Sequence, residues 1–300
     1  MRNLELVERV PVLRKFLYWI MPKLLDFSDY RSARNRIATL ESELEFKKVE
    51  LLFPEEVNRY FQELNQVLFP SPSRDYSIHL KLSGGESDGG YAISTNQEFC
   101  QKWITAGLGS HIDFEIALAK QGCSVYGVDL NIGRFRGLSR NLTLVKKYWG
   151  TANSNQEITL STMYSESLIE NEDNWGFKFD IEGNEWNAIG QILDLENPPS
   201  IVACELHNLL PNLTNIENVG HKLKVLKSLA EIYSPVFAKG NNYSAHVIHD
   251  GISLYDVLEM SWVRKDKIAK FISTSNDGFQ NLIFPNDKAR PLYEVGRLSN

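Results

Sequence analysis

The sequence predicts an α/β fold in which helices cover a mainly parallel sheet. From residue 73 onward, short apolar segments typical of strands alternate with segments that have helical periodicity. The last two candidate strands are joined only by a short link that begins His249-Asp250-Gly251, so we expect these two to pair antiparallel. The candidate strands are 103–106, 124–128, 157–163, 176–181, 200–206, 244–249 and 257–264, and the clearest helices are 113–122 and 219–233.

The first 72 residues are predicted to form a helical extension that precedes an α/β domain at 73–300. The boundary is placed at residues 68–73, where two prolines and two serines follow an apolar segment. Between residues 32 and 48, Ile37, Leu40 and Leu44 have heptad spacing over two heptads. A firm coiled-coil assignment needs three or four heptads, so a homodimer through the N-terminal helices remains one possibility.

Residues 10–25 are apolar with interspersed basic residues. This segment is too short and too charged to span a bilayer. Two interpretations stay open. The segment forms a weak peripheral contact with a membrane surface, or it docks on the α/β domain or on a second subunit, which the frequency of basic amphipathic helices in soluble proteins favours.

Composition is that of an ordinary globular protein: 300 residues, 43% hydrophobic and 23% charged. The net charge of −6 gives no overall attraction to nucleic acid, which we do not expect as a partner. No secretion signal is evident at the N-terminus, so a cytoplasmic protein is expected. The three cysteines, Cys100, Cys123 and Cys204, are widely spaced and are predicted to be reduced and buried.

A Gly-x-Gly turn at residues 107–109 is the most informative local feature. It follows an apolar segment and precedes a helical one, and a second apolar segment ends at Asp129, 20 residues after Gly109. Gly107 and Gly109 permit positive φ and a close approach of the backbone to a ligand, while Asp129 can accept two hydrogen bonds from a ribose diol. The spacing predicts an adenosine site.

The charge beside that turn indicates which adenosine cofactor binds. The first turn of the following helix contains Asp113 and Glu115. Two carboxylates there would repel the pyrophosphate of a dinucleotide but suit S-adenosylmethionine, which carries a sulfonium cation, an ammonium group and no phosphate. Asp113 also has the spacing of a capping box with Ser110, and the two roles are compatible.

Two further strand ends contain ionisable residues. Asp180 lies near the end of the candidate strand 176–181 and Glu182 follows it. Glu205 and His207 lie at the end of the candidate strand 200–206, two residues apart and hence on one face if the strand persists. Ligands in open α/β sheets bind beyond the carboxyl ends of strands, so these groups are expected near the cleft. Alternatives remain: the two acids cap the next helix, and His207 only hydrogen-bonds a loop.

Seven motifs in order make the chain resemble the FkbM-type family of S-adenosylmethionine-dependent methyltransferases over residues 80–265. The most specific motif is Lys178-Phe179-Asp180-Ile181-Glu182-Gly183-Asn184-Glu185-Trp186. The others are Ser87-Asp88-Gly89-Gly90-Tyr91, Gly107-x-Gly109 with Asp113-Phe114-Glu115, Val128-Asp129, Glu205-Leu206-His207, Gly240-Asn241-Asn242-Tyr243 and the run from Asp256 to Arg264.

The resemblance implies a Rossmann-like class I methyltransferase sheet, mainly parallel with an antiparallel last strand, and methyl transfer to a hydroxyl of a sugar or natural product. It implies that Gly107 and Gly109 line the cofactor site, that Asp129 holds the ribose, and that Asp180 and Glu182 border the methyl-transfer site. The third glycine of the usual loop is replaced by His111, which departs from the pattern. Residue types suited to a sugar acceptor are Asp88, Tyr91, Glu182, Trp186, Glu205, Asn241 and Asn242.

An alcohol acceptor needs a base within hydrogen-bond reach, and Asp180 or His207 is the candidate. No metal is expected. A divalent cation on Asp180, Glu182, Glu205 and His207 is nevertheless an open alternative, because it would lower the pKa of the acceptor. A non-catalytic binding or scaffold protein and an NAD(P)-dependent oxidoreductase are the other function classes considered, and the acidic helical turn argues against the latter.

Overall fold

The computed structural model describes residues 27–69, 80–84, 90–94, 100–109, 112–133, 139–167, 169, 173–214, 216–271 and 291–297. Its strands are β1 (Leu80–Ser83), β2 (Tyr91–Ser94), β3 (Lys102–Ala106), β4 (Ser124–Val128), β5 (Leu142–Val145), β6 (Tyr148–Trp149), β7 (Glu157–Ile158), β8 (Trp175–Phe179), β9 (Ile201–Leu206), β10 (Tyr233–Gly240), β11 (His246–His249), β12 (Ile252–Tyr255), β13 (Leu258–Arg264) and β14 (Gly296–Arg297). Its helices are α1 (Phe27–Leu52), α2 (Pro54–Leu68), α3 (Asp113–Lys120), α4 (Leu160–Glu166), α5 (Glu185–Leu193), α6 (Ile216–Ile232) and α7 (Ile268–Phe271).

A seven-stranded sheet with the order β10-β13-β9-β8-β3-β4-β5 forms the centre of the fold. Strands β5, β4, β3, β8 and β9 are mutually parallel, whereas β13 runs antiparallel between β9 and β10. The predicted fold class is therefore confirmed: the sheet is Rossmann-like, mainly parallel, and has an antiparallel strand near one edge. The order of the parallel strands reverses at β3 and β8: β4 and β5 follow on one side of β3, and β8 and β9 lie on the other. This change of order places a crevice beyond the carboxyl ends of β3 and β8.

Alternate residues of the sheet face two hydrophobic clusters, as the period of a strand requires. On one face, Trp103 of β3 packs edge-on against Phe114 of α3, with ring centroids 5.6 Å apart. On the other face, Ile104 and Ala106 of β3 join the larger cluster, to which α2, α4, α5 and α6 contribute. Helices thus cover both faces of the sheet.

Two predicted elements of the sheet were wrong. The antiparallel partner of β13 is β10, and the predicted strand at 244–249 instead forms the hairpin β11–β12 through the His249-Asp250-Gly251 link. Strand β10 was not recognised in the sequence because helix α6 ends at Ile232 and the strand begins at the next residue, with no turn between them. Pro235 lies at the register shift of this edge strand, a position at which a missing backbone N–H is tolerated.

The predicted strand 157–163 was also wrong over most of its length. Only Glu157–Ile158 is extended, and Thr159 then begins helix α4. The Thr159 hydroxyl accepts a hydrogen bond from the backbone N–H of Thr162 at 3.3 Å, as a helix N-cap does. A capping threonine among alternating apolar residues resembles strand periodicity, which explains the error.

The described N-terminal helices pack onto the α/β domain. Helix α2 begins with Pro54 and buries one face at helical spacing against the larger cluster. The Tyr60 hydroxyl donates to the carbonyl of Leu209 at 2.8 Å, and the Phe61 ring lies 5.0 Å from that of His249. The buried residues of α2 are Val57, Tyr60, Phe61, Leu64 and Leu68.

The predicted heptad positions of α1 lie away from this packed face. Leu40 and Leu44 are exposed, while Phe46 and Val49 point into the core. The segment 10–25 lies outside the described residues. Within the part of the chain that the structure covers, no helix is long and apolar enough to cross a membrane. The three cysteines are buried and free, as predicted.

Candidate functional site

A cavity of about 640 Å³ opens beyond the carboxyl ends of β3, β4 and β8. This volume is in the range of small-molecule sites. The walls come from the turn after β3, the end of β4, the first turn of α3, the β6–β7 segment and the loop after β8. They comprise Gly107, Leu108, Gly109, Phe114, Glu115, Val128, Asp129, Asn131, Tyr148, Trp149, Glu157, Lys178, Asp180, Ile181, Glu182 and Asn184.

Gly107 and Gly109 shape the turn that forms one wall. Both adopt positive φ, at +74° and +57°. A Cβ on Gly107 would lie 1.5 Å from the carbonyl oxygen of Asp180, so this position has no room for a side chain. A Cβ on Gly109 would meet no described atom within 4 Å. Gly107 is therefore required for close packing of two loops, and Gly109 for backbone conformation alone.

Asp129 lies at the end of β4 and faces this turn. Its Oδ2 accepts a hydrogen bond from the N–H of Gly109 at 2.9 Å, and its Oδ1 accepts one from the N–H of Asn131 at 2.6 Å. A carboxylate has about four acceptor positions, so each oxygen retains one for a ligand. The predicted ribose-binding side chain is thus oriented by the backbone and lines the cavity.

The two acids of the first turn of α3 have different positions. Glu115 is buried and lines the cavity, and its Oε1 has no hydrogen-bond partner among the described residues. Asp113 is exposed and lies outside the cavity wall. Burial raises the pKa of Glu115, against the opposing charge of Lys178. Of the two acids in this turn, only Glu115 therefore contributes to the cavity wall, together with the carboxylates of Asp129, Glu157, Asp180 and Glu182.

Asp180 follows β8 directly. Its backbone N–H donates to the Ala106 carbonyl at 3.1 Å, which holds it beside the glycine turn. The Tyr91 hydroxyl of β2 lies 3.5 Å from Oδ2, while the buried Oδ1 has no partner among residues that the structure describes. Asp180 thus presents an available acceptor at the cavity wall.

A tight turn at residues 181–184 places Glu182 at the wall of the cavity. Glu182 has a φ of +54°, unusual for a residue with a side chain, and Gly183 has +102°. Glu185 holds this turn, because its Oε1 accepts from the N–H of Ile181 at 3.2 Å and of Gly183 at 3.0 Å. Glu185 is fully buried at the start of α5.

His207, just beyond β9, contacts carboxylates through both ring nitrogens. Nδ1 lies 3.0 Å from Glu185 Oε1, and Nε2 lies 3.7 Å from Glu182 Oε2 and 3.6 Å from Glu205 Oε2. Burial alone would lower the pKa of His207. The hydrogen bond to Glu185 and the charges of Glu185, Glu205 and Asp180 outweigh it and raise the pKa to about 9.

Glu205 is buried at the end of β9. Burial and the neighbouring charges of Asp180 and Glu259 raise its pKa well above the ordinary value. Its Oε1 accepts a hydrogen bond from Asn241 Nδ2 at 2.5 Å. The predicted residues Asp180, Glu182, Glu205, His207 and Asn241 therefore belong to one connected cluster, here named the acidic cluster together with Glu185.

Three other predicted substrate residues have separate positions. Trp186 lies on α5 in a groove of about 480 Å³ between α4, α5 and α6, which shares no lining residue with the main cavity. Asn242 is buried beside Asn241. Asp88 lies outside the described residues. Tyr91, in contrast, is buried beside Asp180 as described above.

Sequence reasoning missed several residues of the site. Glu185 appeared only as part of a motif, although its burial makes it the centre of the acidic cluster. Lys178 donates from Nζ to the Gly107 carbonyl at 2.8 Å and lies over the Tyr91 ring, so it joins the glycine turn to β8. An ionisable residue in the middle of an apolar strand was the available signal for Lys178. No sequence signal pointed to Tyr148 and Trp149, because the strand that contains them is only two residues long.

No protein-family model matches the sequence, and no curated protein does. Among solved structures, the 23S rRNA methyltransferase ErmE is 11% identical, with a TM-score of 0.34 over 56% of this chain and 62% of that chain, less than two thirds of its length. The Methanococcus jannaschii fibrillarin pre-rRNA processing protein is 9% identical, with a TM-score of 0.34 over 63% and 71% of the chains.

A third similar structure is the Burkholderia thailandensis 1,6-didemethyltoxoflavin-N1-methyltransferase with bound S-adenosylhomocysteine. It is 15% identical, with a TM-score of 0.30 over 56% of this chain and 72% of that chain. These similarities are too distant to argue for a function.

Proposed function

We propose that this protein is an S-adenosylmethionine-dependent methyltransferase of the FkbM type. The observation that carries the proposal is the cavity beside Gly107 and Gly109, where a buried carboxylate oxygen of Glu115 has no partner in the described part of the chain. A buried, unpaired acceptor favours a ligand with a cationic donor. S-adenosylmethionine brings an ammonium group, a sulfonium centre and no phosphate.

The remaining walls suit the nucleoside part of the same molecule. Asp129, held by two backbone N–H groups, retains acceptor positions for the two ribose hydroxyls. Leu108, Val128 and Trp149 provide apolar surface for adenine. The indole Nε1 of Trp149 is buried without a partner among the residues described and is available to a ring nitrogen of the ligand. The residues present therefore fit this cofactor.

A dinucleotide fits less well. Its pyrophosphate would lie at the N-terminus of α3, where Glu115 lines the cavity. Lys178 also lines the cavity and offsets the charge of Glu115 in part, while its ammonium donates to the Gly107 carbonyl. Five carboxylates line the cavity against this one ammonium, which disfavours a pyrophosphate.

The cofactor supplies an electrophilic methyl group on a cationic sulfur, so the protein has to align an acceptor and receive a proton. We assign the proton to the carboxylate of Asp180, which borders the cavity and has an unpartnered Oδ1 within the described structure. His207 does not line the cavity. We assign it to holding the acidic cluster rather than to proton removal.

The acceptor in this proposal is a hydroxyl of a sugar or natural product, as the family resemblance implies. Two polar groups could bind the other hydroxyls of the acceptor: Glu182, which is exposed and borders the cavity, and Tyr91, whose hydroxyl lies 3.5 Å from Asp180 Oδ2. The net charge of −6 and the acidic cluster support a small or glycan acceptor over nucleic acid. Reduced cysteines support a cytoplasmic location.

The test is a calorimetric titration of the protein with S-adenosylmethionine, S-adenosylhomocysteine and NAD. We expect the first two to bind and NAD not to bind. Asp129→Ala should weaken cofactor binding at least about 100-fold, because two charge-assisted hydrogen bonds of about 1.5–3 kcal/mol each are lost. Asp173→Asn, at an exposed carboxylate away from the cavity, is the matched control and should bind normally. Binding of NAD in place of the sulfonium compound would refute the assignment.

A further inference from the structure

The imidazole of His207 is placed as a metal ligand would be. Its Nε2 lies 3.6 Å from Glu205 Oε2 and 3.7 Å from Glu182 Oε2. Both distances exceed those of a hydrogen bond. They are close to the spacing of about 3.0–3.4 Å between ligand atoms that share a cation bound at about 2.1 Å. Each carboxylate is therefore within reach of a cation held at Nε2, and the Glu182 side chain is exposed, so packing does not prevent it from moving toward Glu205.

The two buried candidate ligands are oriented by second partners. His207 Nδ1 is hydrogen-bonded to Glu185 Oε1 at 3.0 Å, which leaves Nε2 for the cation. Glu205 Oε1 accepts from Asn241 Nδ2, which leaves Oε2 facing Nε2. In protein metal sites, a ligating histidine usually donates its other ring N–H to a carboxylate. A ligating carboxylate is usually held by a hydrogen bond to its other oxygen.

Two buried oxygens next to these ligands lack partners. Asp180 Oδ1 and Glu185 Oε2 have no hydrogen bond to any residue described here, and the Glu185 side chain is fully buried. Asp180, Glu185 and His207 each offer one atom within 4.8 Å of the others. Unpaired buried carboxylate oxygens are costly, and a cation would satisfy them.

Cationic groups that face the carboxylates around His207 include the imidazole itself and the ammonium of Lys222, whose charge acts on Glu185. Four carboxylates converge on His207, from Asp180, Glu182, Glu185 and Glu205. The buried ammonium of Lys239 on β10 lies 2.9 Å from Glu259 of β13 and is therefore engaged beside the cluster. A divalent cation that replaces the proton on His207 would increase the positive charge that faces these four carboxylates.

We propose that His207 Nε2, Glu205 and Glu182 bind a divalent cation, with one oxygen of Asp180 within its reach. One imidazole with carboxylates suits Mn²⁺ better than Mg²⁺ or Ca²⁺, which prefer oxygen ligands alone. The role of the cation rests on the proposed function: as a Lewis acid it would lower the pKa of the acceptor hydroxyl, and the second oxygen of Asp180 would receive the proton.

The test uses Mn²⁺ alone with the full-length protein and no cofactor. The electron paramagnetic resonance signal of free Mn²⁺ is measured during a titration, and the signal should fall with a stoichiometry of one. Glu205→Gln and His207→Gln should each weaken binding at least about 100-fold, since each removes a ligand. Glu185→Gln should weaken it about 10–100-fold, the usual effect of a supporting partner. Thermal melting of each variant establishes that it is folded.

Glu196→Gln is the matched control, because this carboxylate is exposed and lies in the loop before β9, at the opposite end of that strand from Glu205. It should bind Mn²⁺ as the unaltered protein does. Mn²⁺ that stays free at millimolar protein, or that binds folded Glu205→Gln and His207→Gln unchanged, overturns the proposal. Cofactor titration separates the two proposals. Cofactor binding without Mn²⁺ binding rejects the metal site only, and Mn²⁺ binding without cofactor binding rejects only the methyltransferase assignment.

Discussion

The two halves of the carboxyl edge of the sheet are built by different means. The half after β3 and β4, around Gly107 and Asp129, is formed by backbone conformation and backbone hydrogen bonds. The half after β8 and β9, the acidic cluster, is formed by ionisable side chains that contact one another. We call these the glycine half and the acidic half.

This difference determines which substitutions each half tolerates. At Gly107 in the glycine half, a single added carbon collides with a fixed backbone atom, so the substitutions that this position tolerates depend on shape. In the acidic half, an isosteric amide keeps the shape and removes the charge, so its tolerance depends on electrostatics. The following predictions separate these two kinds of dependence, beginning with the largest effect.

Gly107→Val should abolish cofactor binding. Its Cβ would lie 1.5 Å from the Asp180 carbonyl oxygen, and its φ of +74° is strained for any residue with a side chain. The loop after β8 must then move, which also displaces Asp180. We expect no measurable binding in calorimetry and a loss of several kcal/mol in the free energy of unfolding.

Gly109→Ala is the matched control for that substitution. It also has positive φ, at +57°, but its Cβ would meet no described atom within 4 Å. Only the conformational cost of about 1–2 kcal/mol remains, so the variant should fold and bind the cofactor less tightly by about 10-fold. Equal effects of the two substitutions would show that collision with the Asp180 carbonyl is not what matters in the glycine half.

The glycine half was the more predictable from sequence. Gly107, Gly109 and Asp129 lie in one β-α-β segment, and local spacing was enough to place all three at the cavity. Five strands of the central sheet, β3, β4, β8, β9 and β13, were predictable because each is mostly apolar. Strands β5 and β10 were missed: β5 has only four residues, and β10 follows α6 without a turn and contains Pro235.

The acidic half was only partly predictable. Asp180, Glu182, Glu205 and His207 were placed at strand ends, which the topology then brought together. Glu185 was not recognised as their common partner. At the start of an amphipathic helix, a glutamate is typical of a solvated first turn. Its burial depends on β9 lying beside β8, a long-range pairing that no local pattern encodes.

Asp180→Asn tests the acidic half without changing its shape. The amide keeps the packing against the glycine turn but accepts no proton. With an acceptor identified, we expect turnover to fall about 10²–10⁴-fold, the usual contribution of a general base, while cofactor affinity changes little. Radiolabelled methyl transfer and calorimetry measure the two quantities. Full turnover in this variant would remove Asp180 from the reaction.

Glu115→Gln gives the smallest effect and tests whether charge contributes in the glycine half as well. Burial raises the pKa of Glu115 above its ordinary value of 4.5, so folding favours the protonated acid. Its contribution to stability is therefore complete below that ordinary value and is lost as pH rises through the raised pKa. Without cofactor at pH 8, the variant should melt at a higher temperature than the unaltered protein, and this difference should vanish at low pH.

Cofactor affinity should respond in the opposite sense. The carboxylate is the form that attracts the ammonium group, so affinity should fall as pH decreases through the raised pKa of Glu115. Glu115→Gln should bind about 10-fold more weakly at pH 8 and should lack this pH dependence. A variant whose affinity follows the same pH curve as the unaltered protein would mean that the glycine half recognises its ligand by shape alone, and the electrostatic choice of S-adenosylmethionine over a dinucleotide would lose its basis.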